Sequence, residues 1–415
     1  TLTGSNNVGM MANKDTSGTL AKVENTAIIT STGSYNVGIQ VNQGAEGYNG
    51  RLASTVPSIS AAAGTITLNG SNTTGVYNKG TFKMEESGSK ITVNGADSIA
   101  VYASGFTSTT EINNGTVTIG GSSTNPLNAV GLYVADSAKI KITGDGSTDR
   151  LVANSGALMF YNYANDTSAT TGSFLLSGSD VKAKVNSGAL AFHLRGSSAN
   201  PISTVAHINN TLNAMFNLSI GTTKLDLTLA PGASLFEIKN DVLAAAGSTI
   251  ATSELGGTSL AFGNSNRIEV NGTNTASKLL KIKGGSLEVN GTSITDPVID
   301  LDTANNILNR VEFESSNVKV NPGITIKSTQ NDKYGIRQKD TLTNPTTTSA
   351  PVLTVENSGT ISLTGNKSRA IVVEFGNATN NNEIKVGTEG IGIYGADNSI
   401  ITNSSNAKID IGSKG

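Results

Sequence analysis

Two pairs of carboxylates, Asp300/Asp302 and Glu312/Glu314, are the residues whose spacing best suits catalysis. On an extended strand, residues two apart share a face and lie ~6.5–7 Å apart. That separation suits either geometry of glycoside hydrolysis, and clustered acids also hold calcium in β-helical polysaccharide lyases. No arginine or lysine cluster and no aromatic sugar platform adjoins them in the sequence, so acids scattered over a solvated face are the plainer expectation. Gly144-Asp145-Gly146-Ser147 falls one residue out of the Gly-Asp-Ser-Gly pattern around a protease serine. Its only imidazole partners would be His193 and His207, which follow or precede the apolar Phe192 and Ile208 and read as structural. Glu85-Glu86 reads as a pair of surface acids, and Asn-x-Ser/Thr triplets such as Asn72-Thr73-Thr74 are expected by chance in so Asn-rich a chain. There is no Gly-Lys-Ser/Thr phosphate loop and no Gly/Asp nonapeptide calcium repeat. The sequence therefore assigns no catalytic, cofactor or metal residue and leaves the binding residues unassigned.

Composition narrows the choice further. The 415 residues include 47 Gly but no Cys or Trp and only two His, which excludes disulfides, zinc–cysteine clusters and cysteine nucleophiles. Charged residues make up 14% and the net charge is −2, so there is no basic surface for nucleic acid. No apolar run is long enough to span a bilayer as a helix. Thr1-Leu2-Thr3-Gly4 carries neither Met nor a basic leader region, so an excised or processed piece is expected.

The elements that would position any site come from a repeat. Thr65-Ile66-Thr67-Leu68 runs into Asn69-Gly70 and then Gly75-Val76-Tyr77. Lys90-Ile91-Thr92-Val93 leads through Asn94-Gly95 to Ala100-Val101-Tyr102, and Thr116-Val117-Thr118-Ile119 through Gly120-Gly121 to Gly131-Leu132-Tyr133. Lys139-Ile140-Lys141-Ile142 precedes Ala157-Leu158-Met159-Phe160. The pattern returns at Arg267–Gly272, Ser286–Gly291, Thr360–Leu363 and Glu383–Val386. Such a period is that of a solenoid. Period-two alternation predicts strands, with almost no competing helical periodicity. Like positions recur once per repeat, so the copies stack in parallel. The predicted fold is all-β, a right-handed parallel β-helix running through residues 1–415 as one segment. About fifteen coils at ~4.8 Å would make a rod on the order of 70 Å long.

In this register Ile66, Leu68, Ile91, Val93, Val117, Ile119, Ile140, Ile142, Ile268, Val270, Leu287 and Val289 point inward. Thr67, Thr92, Thr118, Lys141, Glu269, Glu288, Ser362 and Lys385 face water. Gly and Asn accept the positive φ of corners, and stacked Asn amides bond from coil to coil. Loop insertions are expected at about 42–63, 120–128 and 339–351. The pattern is less regular over about 207–350, least of all over 207–262, where Asp241–Ala246 is predicted to form a helical turn.

The run Gly64-Thr65-Ile66-Thr67-Leu68-Asn69-Gly70 followed by Gly75-Val76-Tyr77-Asn78 resembles coils of the large fusobacterial type V autotransporter adhesins. So do Asn357–Gly365 and Gly390-Ile391-Gly392-Ile393-Tyr394. The resemblance covers most of the chain, more weakly between about 207 and 350. It implies a non-catalytic passenger segment at the bacterial surface, outside the outer membrane. A C-terminal outer-membrane β-barrel, absent here, would hold it in the full-length protein. Implied partners are bacterial or host surface proteins or glycans, with no cofactor and no nucleic acid. The alternatives are a β-helical polysaccharide lyase or hydrolase centred on the acid pairs, and a pure spacer. The absence of Cys independently suits a chain that crosses an oxidising periplasm unfolded.

Overall fold

A computed structural model describes residues 1–14, 20–52, 54–55, 58–121, 128–162, 173–243, 248–293, 295–339, 353–374, 376–396 and 399–413. The chain is a parallel β-helix. It divides into two compact units, one of residues 1–194, 209–236 and 261–277, the other of residues 195–208, 237–260 and 278–415.

In the first unit each coil lays down up to three short strands, each pairing in parallel with its counterpart in the next coil. The first sheet stacks Val8–Ala12, Val37–Val41, Thr74–Asn78, Ile99–Ser104, Ala129–Ala135, Ala157–Asn162 and Leu190–Gly196. The second stacks Lys22–Asn25, Glu46–Asn49, Thr81–Met84, Thr109–Ile112, Lys139–Gly144 and Ser173–Gly178. The third runs from Ile28–Ser31 through Thr65–Leu68, Lys90–Val93 and Thr116–Ile119 to Leu225–Leu229 and Ile268–Asn271. In the second unit, one sheet carries Asn317–Val320, Thr354–Asn357, Asn377–Asn380 and Ile400–Asn403, and another Val298–Asp300, Thr325–Ser328, Thr360–Leu363, Glu383–Val386 and Lys408–Ile411.

Alternation sets the register in both units. The inward residues predicted above are each no more than 2% exposed, and their outward neighbours are partly exposed. Each such aliphatic side chain stabilises the fold by roughly 1.5–3 kcal/mol when fully buried. The inward Leu132 position is taken by Phe160 and then Phe192 in successive coils. Phe160 and Phe192 stack at 5.4 Å, and Phe216 meets Phe160 edge-on at 5.0 Å.

Corners divide the work between space and torsion. Gly156, Gly188 and Gly232 hold φ of 78°, 74° and 84°. The residue after each donates its N–H to the carbonyl three positions back, the pattern of a type II turn. Gly95 has no such torsion; a Cβ there would lie 1.7 Å from the Gly70 carbonyl oxygen. Asn amides run between coils as expected. Asn25 donates to Asn49, Asn357 to Asn380 and Asn380 to Asn403, each at 2.8 Å.

Three expectations need correction. Residues 42–63 are not one loop, because Glu46–Asn49 is a regular strand of the second sheet. The departure from the coil is a small antiparallel hairpin of Ser54–Thr55 and Ser58–Ile59. Alternation in Glu46–Asn49 is hidden because the inward positions are Gly47 and Asn49. The expectation of almost no helical periodicity fails near 207–262, where an α-helix, Val205–Met215, accompanies the strands Leu225–Leu229, Ser234–Asn240, Ile250–Ala251 and Ser259–Phe262. Asp241–Leu243 are not helical, while Ala244–Ala246 lie outside the described residues, as do 122–127 and 340–352 of the other two predicted insertions.

Candidate interaction surface

The acid pairs do not form the arrangement their spacing suggested. Asp300 ends its strand, but Asp302 lies beyond it in a turn, so the two share no strand face. Asp302 accepts hydrogen bonds from the Ser328 hydroxyl and, at 2.8 Å, from the backbone N–H and the hydroxyl of Thr329. The Ser328 bond first, and then the Thr329 backbone, hold its pKa down to about 2. A carboxyl so held stays ionised at neutral pH and has no proton to give as a general acid. Asp300 accepts from the Asp302 N–H at 3.0 Å and faces Lys327 at 3.2 Å. Lys327 and the buried Arg310 line, with Asp296 and Asp300, a groove of about 630 Å³ in the second unit. Strand register brings Lys327 beside Asp300, while Arg310 comes from the helical turn Ile307–Arg310 that follows. Glu312 and Glu314 do share a face of Val311–Glu314, with Lys278 3.9 Å from Glu312.

The remaining chemical candidates are structural. Asp145 caps its own turn, accepting from the Ser147 and Thr148 N–H groups at 2.8 and 2.7 Å. These backbone donors, Thr148 first, hold its carboxyl well below the usual range. Arg150, 3% exposed, reaches Asp145 at 3.0 Å while donating to the Thr143 and Gly115 carbonyls. Ser147 thus belongs to an arginine-braced turn, with its hydroxyl 3.1 Å from Asp145 rather than on an imidazole. His207 sits in the first turn of Val205–Met215, its N–H donating to the Thr204 hydroxyl at 3.0 Å and its Nδ1 3.1 Å from the Ser203 hydroxyl. Among the described residues no cluster of His, Cys, Asp and Glu could hold a metal ion.

His193 has a different setting. It is not inward with Phe192 but outward, with its ring 5.8 Å from that of Tyr161. Tyr161 continues a row in which Tyr77, Tyr102, Tyr133 and Tyr161 occupy one register position of the first sheet. Ring centroids are 5.1, 4.9 and 4.9 Å apart, close to the strand spacing, and interplanar angles open from 4° to 32° and 47°. Three positions earlier on the same strands runs a second outward row, Thr74, Ile99, Val130, Leu158 and Leu190. Between them, two consecutive residues such as Ala100 and Val101 both point inward. All ten outward side chains are half-buried.

Across Thr74–Asn78, Ile99–Ser104, Ala129–Ala135, Ala157–Asn162 and Leu190–His193, these outward rows carry no Asp, Glu, Lys or Arg. Lys79, in the turn after Thr74–Asn78, lies 5.5 Å over the Tyr77 ring, and the exposed Arg195, two residues after His193 on the last strand, pairs with Asp241 at 3.1 Å. The second sheet differs: its outward row is Glu24, Tyr48, Lys83, Glu111 and Lys141, with Lys83 3.8 Å from Glu111. The third presents Thr30, Thr67, Thr92 and Thr118. The two rows of this face are therefore mostly aromatic and aliphatic and carry no charge of their own, while the neighbouring sheets present ionic or hydroxylic rows. The repeat already sets Tyr77, Tyr102 and Tyr133 at like positions, whereas Tyr161 joins the row only through the strand register.

No protein-family model, curated protein or solved structure matches this chain.

Proposed function

We propose that this chain is a non-catalytic segment of a cell-surface adhesin, a β-helical scaffold that contacts surface proteins or glycans of other cells. The observation that carries this reading is the uncharged tyrosine face, since a half-exposed apolar patch maintained through five coils is the mark of an interaction surface. The resemblance of the coils to autotransporter passengers supports an extracellular location outside a bacterial outer membrane. The test is retention of the purified chain on bacterial and host cells, competed separately by free arginine and by galactose-type sugars. Saturable binding supports the adhesin; a chain that neither binds nor blocks adhesion is a spacer.

The groove beside Asp300 favours a second reading, a polysaccharide lyase or hydrolase, because Lys327 and Arg310 are the cations an acidic sugar would need. Against it, Asp302 is fixed as an ionised hydrogen-bond acceptor. Turnover of an acidic polysaccharide, lost in Asp300→Asn, would replace the adhesin reading with the enzyme.

A further inference from the structure

We infer that the partner of the tyrosine face is an uncharged glycan chain lying along the row Tyr77–Tyr102–Tyr133–Tyr161, across the strands. This rests on the adhesin reading and assigns it a site and a ligand class. Three features of the face select the partner.

The first is charge. The ten residues of the two outward rows carry no carboxylate, ammonium or guanidinium; Lys79 lies over the Tyr77 ring at one end and Arg195, paired with Asp241, follows His193 at the other. Over Tyr102, Tyr133 and Tyr161 a sialylated, sulfated or uronic glycan would therefore lose hydration with no charged side chain in the rows to replace it. The second is polarity. Each tyrosine joins an apolar ring to a hydroxyl that both donates and accepts, which suits a ligand of C–H faces and hydroxyl groups. The third is repetition. The same group returns at 5.1, 4.9 and 4.9 Å, so the surface presents a periodic row rather than a pocket. A repeating polymer satisfies such a row unit by unit, and weak contacts add up along it. The widening angle between successive rings, from 4° to 47°, turns part of each face away from its neighbour. The aliphatic row Ile99, Val130, Leu158 and Leu190 gives the strip a dry shoulder.

The experiment uses the whole chain on an array of neutral, sialylated, sulfated and uronic oligosaccharides, alongside the double variant Tyr102→Thr/Tyr133→Thr. Threonine already forms the outward row of the neighbouring sheet at Thr67, Thr92 and Thr118, so the variant keeps a native type of ladder. Tyr102→Phe, which keeps the ring and removes the hydroxyl, guards against a fold defect. The expected result is retention on neutral glycans, about tenfold or more weaker in the double variant and partly weakened in Tyr102→Phe, at unchanged far-ultraviolet circular dichroism. Because the chain has no Trp, the neutral ligand should also change the tyrosine emission directly. Retention only on charged glycans, neutral binding unaffected by the double variant, or no retention on any glycan overturns the inference. Cell binding measured on the same preparations separates the two levels. If cells are bound but neutral glycans are not, the adhesin stands and the glycan site falls; if neither is bound, both fall.

Discussion

Glycine and aspartate show how one residue type serves distinct physical ends in this chain. Gly95 is required for space, because the Gly70 carbonyl occupies the place of its Cβ, whereas Gly105 has φ of 101° and nothing within 4 Å. Gly95→Ala should therefore lower unfolding stability by about 1–3 kcal/mol through overpacking, measured by denaturant titration. An unchanged midpoint would show that the stacked corner can relax. Asp302 is held to a pKa of about 2 by Ser328 and Thr329. A folded-state pKa below the unfolded value of about 4 gives stability that is present above pH 4 and lost as the pH falls toward 2. Asp302→Asn should accordingly flatten the fall in melting temperature across that window, leaving its shape above pH 5 unchanged. A variant that followed the parent curve between pH 4 and pH 2 would remove Asp302 from this role. Neither constraint is legible in sequence: Asn-Gly is equally a hairpin signal, and the partners of Asp302 are 26 and 27 residues away.

At the scale of elements, many strands were legible from inward Ile, Val or Leu, but Leu225–Leu229, with three inward leucines, fell in the stretch read as irregular. Ile66 is fully buried and Thr67 partly exposed, as alternation required. Ile66→Asp should abolish cooperative thermal unfolding, because an ionised carboxylate would be buried unpaired, while Thr67→Lys should leave the melt within about 0.5 kcal/mol. The reverse order would mean the register is shifted by one residue. Glu46–Asn49 does not read as a strand because Gly47 and Asn49 replace aliphatics on its inner face, Asn49 accepting from Asn25 and donating to the Lys90 carbonyl. The helix Val205–Met215 also left a trace. Thr204 is an N-cap residue, and Ile208, Leu212 and Met215 recur at helical spacing and are buried. A strand-dominated reading passes over one such segment. Thr204→Ala should cost about 1 kcal/mol, read by chemical denaturation; no loss would mean the cap is dispensable.

For the molecule as a whole, what the composition excludes and what the coils display belong together. A chain without Cys, Trp or clustered His builds two β-helical units in which Ile, Val, Leu and Phe fill the interior and Gly and Asn turn the corners. The fold was legible because the repeat states its own hydrophobic period. The candidate site was legible in part: the repeat sets Tyr77, Tyr102 and Tyr133 at like positions, but alternation does not show how their rings stack or which row runs beside them. The intervals between coils are unequal, and the strand register is what adds Tyr161 to the row of Tyr77, Tyr102 and Tyr133. That row marks a face whose outward residues are uncharged, beside charged and hydroxylic surfaces. The most direct test is adhesion of the purified chain to cells, compared between the parent and Tyr102→Thr/Tyr133→Thr at matched melting temperature. The account predicts that the parent binds saturably and the variant loses most of that binding; equal adhesion by both would place the contact elsewhere and contradict it.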